Sequence, residues 1–142
     1  MGKKKTPITV IIDTNVLLSA LLFKGKVARI VELWKEERIC PAFTRETFEE
    51  FNLALQYPKF SLSVEEIKAI VEEEVLPYFH IVEATVSAAG VCSDSDDDKF
   101  ISGALSASAA FIVTGDKKLL SIKEYRSVRV ITVSDFLKLL DS

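Results

Sequence analysis

The run Ile8-Thr9-Val10-Ile11-Ile12, followed at once by Asp13-Thr14-Asn15, decides how the rest of the chain is read. Five β-branched residues in a row favour an extended strand, and with almost no polar alternation that strand should be covered on both faces. Residues 39–43, 79–82, 111–113 and 128–133 are further short apolar runs of strand length. Between them the period changes. Val27, Ile30, Val31 and Trp34 recur at helical spacing. Thr44 caps a helix carrying Phe48, Phe51 and Leu55, which Pro58 stops. Ser63 and Glu66 stand in capping-box register ahead of Ile67, Ile70 and Val71, in a helix ending near Pro77. Another helix opens within Asp94-Ser95-Asp96-Asp97-Asp98, and Ser134 caps a terminal one. Strands alternating with helices through right-handed crossovers predict an α/β fold of three layers, α/β/α, around a central parallel sheet.

A length of 142 residues suits one domain, read as a basic N-terminal tail at 1–7 and a single domain at 8–142. Apolar residues make up 49%, enough to build a core, and a chain of this size buries roughly 70% of its unfolded surface. The formal charge of −3 does not advertise a polyanion-binding surface. No apolar run approaches a membrane span, so no membrane partner is expected. The N-terminus lacks a signal-peptide core. It matches a loose myristoylation pattern through Gly2 and Thr6, for which a solvated basic tail is the plainer reading. Cys40 and Cys92 lie far apart and His80 is the lone histidine, so zinc sites and Ser-His-Asp or Cys-His chemistry are disfavoured. Reduced thiols and a cytoplasmic location are the expectation.

In open parallel sheets, sites gather at the carboxyl ends of the strands. Asp13 stands at one such end, and Asp116 of Thr114-Gly115-Asp116 at another. Either could equally cap the segment after it. Asp97 and Asp98 open a helix whose apolar stripe is Ile101, Ala104, Leu105 and Ala109. At about 100° per residue both fall within about 60° of the stripe's centre, so both are read as pointing inward. The helix dipole accounts for Asp94 and Asp96 but not for adjacent carboxylates on the core side, which need a cation or a shared proton. Glu46, Glu49 and Glu50 interleave with Phe48 and Phe51, and spacing alone does not choose among them. Carboxylates gathered without His or Cys suit Mg²⁺ or Mn²⁺, and such sites suit phosphodiester chemistry. Two divalent ions would bring the formal charge from −3 to +1.

Asp13-Thr14-Asn15-Val16, Thr47-Phe48-Glu49-Glu50-Phe51, the helix from Asp98 to Ala104, and Thr114-Gly115-Asp116 follow one another in the order found in a known family. With these four motifs the chain resembles the PIN-domain ribonucleases from about Ile8 to Leu140. The resemblance implies a PIN-like fold and a catalytic, metal-binding quartet of Asp13, Glu50, Asp98 and Asp116. It selects Glu50 through the Thr-x-x-Glu position and favours Asp98, with Asp97 as a neighbour in the site. Asn15 would orient Asp13 or a bound water, and Thr114 would support the closing turn. The implied cofactor is Mg²⁺ or Mn²⁺. The implied reaction is endonucleolytic hydrolysis of single-stranded RNA, a metal-activated water attacking in line to leave a 5'-phosphate and a 3'-hydroxyl. Lys24, Lys26, Arg45, Lys99, Lys117 and Lys118 fall near the expected rim, where phosphates would pass. Tyr57-Pro58-Lys59-Phe60 and Ser95-Asp96-Asp97-Asp98-Lys99-Phe100 look like a subgroup of toxins from toxin-antitoxin pairs. That likeness implies an antitoxin protein as partner, and the family commonly forms homodimers.

Two readings from other classes compete. One is an inactive PIN-like module that binds RNA or protein, against which the complete acid quartet argues, since converging carboxylates destabilise a fold that has no metal. The other is a receiver-like domain with Asp13 as nucleophile, which leaves Glu50 and Asp98 without a role. An RNA-processing nuclease outside any toxin-antitoxin pair would carry the same acids.

Overall fold

The computed structural model describes residues 6–141; the tail through Lys5, with its myristoylation-like pattern, lies outside the described residues. Strand β1 is Ile8–Ile12, as the opening run predicts. Helices α1 (Thr14–Leu22) and α2 (Arg29–Lys35) follow, then β2 (Ile39–Thr44) and α3 (Arg45–Leu55). Helix α4 (Val64–Ala69) leads to β3 (His80–Val82), and α5 (Asp98–Ala107) to β4 (Phe111–Val113). The chain ends with α6 (Lys117–Leu120), β5 (Glu124–Tyr125), β6 (Val128–Ile131) and α7 (Val133–Asp141).

The six strands lie in the order β3-β2-β1-β4-β6-β5. Every pairing is parallel except β5 with β6, a short antiparallel edge that the sequence reading omits. Side chains alternate across the sheet. Val10 and Ile12 of β1, Phe43 of β2 and Val113 of β4 enter a core that also holds Leu17, Trp34, Phe51 and Phe136. Ile11, Ala42 and Ile112 face the other way, against Phe100, Ile101 and Ala104 of α5 and Leu119 of α6. Strand β1 is thus covered on both faces, and the α/β/α layering follows.

Register decides where the strands end. Ile12 lies beside Val113, and Thr44 beside Val82, so the residues that follow β1, β2 and β4 emerge on one edge. The predicted caps at Thr44 and Ser63 are present: Thr44 exchanges hydrogen bonds with Thr47, and Ser63 with Glu66. Helix α4 runs on as a π turn over Ile70–Val75. The segment ends there, and the buried Trp34 indole donates to one of its terminal carbonyls, Glu74 O, at 3.0 Å. The terminal helix differs from expectation. Thr132 Oγ1, not Ser134, accepts the Asp135 N–H, because β6 stops at Ile131 and leaves Thr132 as the turning residue. Asp141 at the end of α7 pairs with Arg29 at 3.0 Å and Arg38 at 3.2 Å, which ties that helix to α2 and to the approach to β2. No helix among the described residues is long and apolar enough to cross a membrane.

Gly103 lets α5 lie close on the sheet, since a Cβ there would stand 3.4 Å from Thr44 Cγ2 and 3.6 Å from Ile11 Cδ1. Those are ordinary contacts for one carbon and leave no room for more. In urea unfolding, Gly103→Ala should therefore be neutral or stabilising by up to about 1 kcal/mol. Gly103→Leu should lose about 2 kcal/mol or more; a Leu variant as stable as wild type would mean α5 rides higher than described.

Candidate active site

Asp13 continues β1 by donating its N–H to Val113 O at 3.0 Å, and its side chain then turns to start α1. One carboxylate oxygen accepts the Asn15 N–H at 3.1 Å, and the other accepts the Thr114 hydroxyl at 2.5 Å. Only 7% of Asp13 is exposed. Burial raises its pKa; the Thr114 and Asn15 hydrogen bonds oppose that shift, and the charges of Asp116 and Glu50 add to it. Asn15 therefore orients Asp13 through its backbone, and its side chain is exposed.

Thr114 is fully buried at the end of β4 and holds two acids at once. Besides donating to Asp13, its hydroxyl accepts the Asp116 N–H at 3.0 Å. Asp116 in turn caps α6 by accepting the Lys118 N–H at 2.9 Å. The predicted supporting role of Thr114 thus has a definite form: one hydroxyl fixes Asp13 and the turn that presents Asp116.

The acid run places Asp97, rather than the favoured Asp98, against this pair. Asp97 closes a 3-10 turn, Ser95–Asp97, and is buried as the helical angle predicts, whereas Asp98, the first residue of α5, is drawn aside by backbone donors of the preceding loop. Asp97 is 8% exposed, and its buried Oδ2 has no hydrogen-bond donor. Its pKa is pushed up to about 6 by burial first, then by the neighbouring Asp116 side chain and by the charges of Asp94 and Asp13. Asp98 points elsewhere. Its carboxylate accepts the backbone N–H groups of Cys92 at 2.8 Å and Gly90 at 2.9 Å, which hold its pKa below the ordinary value. Ser102 and Ser106 lie on the same face of α5: Ser102 donates to Val86 O, and Ser106 accepts from Thr85 and Val86 N–H. Asp98 is the first rung of a ladder that pins the loop after β3.

Glu50 sits one turn beyond the Thr44–Thr47 cap, half-buried, while Glu46 and Glu49 are exposed. Its Oε1 accepts the Thr14 hydroxyl at 2.6 Å and its Oε2 meets Lys99 Nζ at 2.5 Å. Burial works against the Lys99 ammonium, but Glu50, helped by Asp96 and Glu46, keeps its pKa above the usual lysine value. Thr14 was quoted in the opening motif without a role; its signal is a hydroxyl beside Asp13 in an otherwise apolar helix start. Among the other rim bases, Arg45 pairs with Glu49, Lys26 reaches Ser134, and Lys24, Lys117 and Lys118 are exposed.

Among the described residues, no three acidic, histidine or cysteine side chains are already gathered into a metal cage. The donor set nevertheless fits a hard divalent ion. Asp97 Oδ2 is an orphaned buried acceptor beside Asp116, Asp13 is desolvated, and all the candidate ligands are carboxylates. A family model described as PIN domain matches residues 9–118, which is most of the chain and includes every one of these acids. The chain belongs to the PIN-domain family. PIN domains have in general the fold of metal-dependent nucleases. This PIN domain is 34% identical over 125 residues to the uncharacterized protein MJ1680 of Methanocaldococcus jannaschii, across 85% of this chain and 79% of that protein. The crystal structure of PAE2754 from Pyrobaculum aerophilum matches it with a TM-score of 0.62 at 18% identity, over 96% of this chain and 90% of that one. At that identity the likeness is one of fold.

Two tests follow from the acid geometry. Asp97 binds its proton more tightly folded than unfolded, so its contribution favours folding at low pH and is lost as pH rises through about 6. Metal-free protein should accordingly lose stability between about pH 4 and pH 6 relative to Asp97→Asn, which should be about 1–2 kcal/mol more stable than wild type at pH 7.5. Parallel pH profiles for the two proteins would contradict this. Asp98→Ala should instead speed proteolysis within residues 84–93 and leave Mn²⁺ binding within about threefold of wild type. Loss of Mn²⁺ binding in Asp98→Ala would return that residue to the ligand set.

Proposed function

We propose that this PIN domain is a divalent-metal-dependent endoribonuclease that hydrolyses phosphodiester bonds of single-stranded RNA. The observation that carries the reading is the orphaned Asp97 oxygen beside Asp116, within reach of the Asp13 charge, since buried neighbouring carboxylates without a cation destabilise the fold that holds them. Asp13, Asp97 and Asp116 would hold Mg²⁺ or Mn²⁺, with Glu50 beside them; Asp98 is assigned the loop. When bound, the ion lowers the pKa of an attacking water and balances charge on the phosphate.

The chain's own groups do the positioning. Thr114 and Asn15 fix both oxygens of Asp13, so it presents its charge with little reorganisation. Asp116 is held differently: Thr114 accepts its backbone N–H, and Lys118 N–H donates to one of its carboxylate oxygens. Thr14 holds Glu50, and the capping exchange at Thr44 and Thr47 sets the turn from which Glu50 projects.

We further assign the chain to the toxin side of a toxin-antitoxin pair in the cytoplasm, with an antitoxin protein covering the acidic edge and a second copy of the chain as dimer partner. The motif style around residues 57–60 and 95–100, and two free thiols, support that assignment.

Labelled single-stranded RNA incubated with Mg²⁺, Mn²⁺ or chelator tests the activity. Cleavage should require metal, leave 5'-phosphate ends, and fall at least about a hundredfold in Asp13→Asn, Asp97→Asn and Glu50→Gln. Glu46→Gln should stay within about twofold of wild type. Full-rate cutting by Asp97→Asn or in chelator sinks the mechanism, and folded, metal-binding protein that cuts no RNA favours the binding-module reading.

A further inference from the structure

The carboxylates at the sheet edge are not equivalent. Asp97 has an oxygen to spare, whereas both oxygens of Glu50 are engaged, one by Thr14 at 2.6 Å and the other by Lys99 at 2.5 Å. Lys99 is no loose surface base. Its side chain is 15% exposed and its ammonium lies 5.4 Å from the centre of the Phe100 ring. It projects from the first turn of α5, the residue after the Asp97–Asp98 pair, so the backbone that delivers Asp97 also delivers a cation to Glu50.

We propose that Lys99 is a tethered counter-ion that competes with the divalent ion for Glu50, so that Glu50 can join the metal site only after Lys99 has been displaced. This rests on the metal-dependent reading above. The first charge needs of a cation would be met by Asp13, Asp97 and Asp116, which pair with no lysine or arginine among the described residues. Glu50 is already neutralised. An ion seated among the three aspartates repels the Lys99 ammonium and attracts Glu50, and both effects weaken their pair. The displaced ammonium stays tethered at the mouth of the site, where an RNA phosphate is the anion it would meet. Lys99 is thus a positioning residue that sets how much metal the site demands before all four acids are engaged.

Mn²⁺ titrations without RNA, read by calorimetry, separate this from a structural role. Lys99→Met should bind Mn²⁺ about tenfold more tightly than wild type, because the competitor is gone. Lys99→Arg, which restores the charge, should stay near the wild-type affinity. In a Glu50→Gln background, Lys99→Met should change the affinity by less than about threefold, since the two residues act through one contact. Circular dichroism checks folding, and Lys99→Gln carries the same expectation if the Met variant is unfolded. Unchanged or weaker Mn²⁺ binding in Lys99→Met overturns the proposal, as does an equal gain with and without Glu50. If wild type binds Mn²⁺ and Asp97→Asn does not, such a result removes Lys99 alone and leaves the nuclease reading standing. If wild type and every variant ignore millimolar Mn²⁺, the metal-dependent reading fails and takes this proposal with it.

Discussion

The hydroxyl of Thr114 joins the ends of the two central strands through the acids they carry. It donates to Asp13 after β1 and accepts from the backbone of Asp116 after β4, in a position with no exposure to solvent. Without it, the buried Asp13 carboxylate would lose a donor and the Asp116 backbone N–H an acceptor, in a region that largely excludes water. The parallel register brings those strand ends level, and the flanking helices are placed by the same residues, since Asp13 starts α1 and Asp116 starts α6. Fold and site are therefore one arrangement. The sheet brings the acids together, and the hydrogen bonds that make their proximity tolerable also define where the helices begin.

Each acid meets the resulting repulsion differently. Asp13 accepts from two donors, Asp116 from the Lys118 N–H, and Glu50 from a hydroxyl and an ammonium. Asp97 receives none of these at its buried oxygen and responds by holding a proton more tightly. The unrelieved charge thus falls on Asp97, and in part on the buried Asp13, rather than evenly over the cluster. A hard divalent cation, as proposed above, would answer that imbalance directly.

Much of this was legible before any coordinates. The β-branched run at residues 8–12, the capping pairs at Thr44 and Ser63, and the acids at two strand ends depend on local chemistry, which a sequence displays. The choice between Asp97 and Asp98 was not, because it turns on backbone N–H groups from residues 90 and 92, whose position is tertiary. Family likeness pointed to Asp98, and geometry points to its neighbour. The four-residue spacing of Asp98, Ser102 and Ser106 was a visible hint that this face serves a loop. The cap of the last helix was misplaced for a related reason: Thr132 and Ser134 both have capping side chains, and only the end of β6 decides between them. Lys99 stood in a row of rim bases, and nothing in its spacing distinguished it from the five others.

Asp13 and Asp116 each serve as a helix cap, and asparagine caps a helix about as well as aspartate does. In descent, then, a single base change at either codon could silence the chemistry while sparing both helix starts and removing a like charge. Lineages carrying this architecture have a short downhill path from enzyme to scaffold. The return path is just as short, because the hydroxyl, the turns and the neighbouring acids that an aspartate would need remain in place.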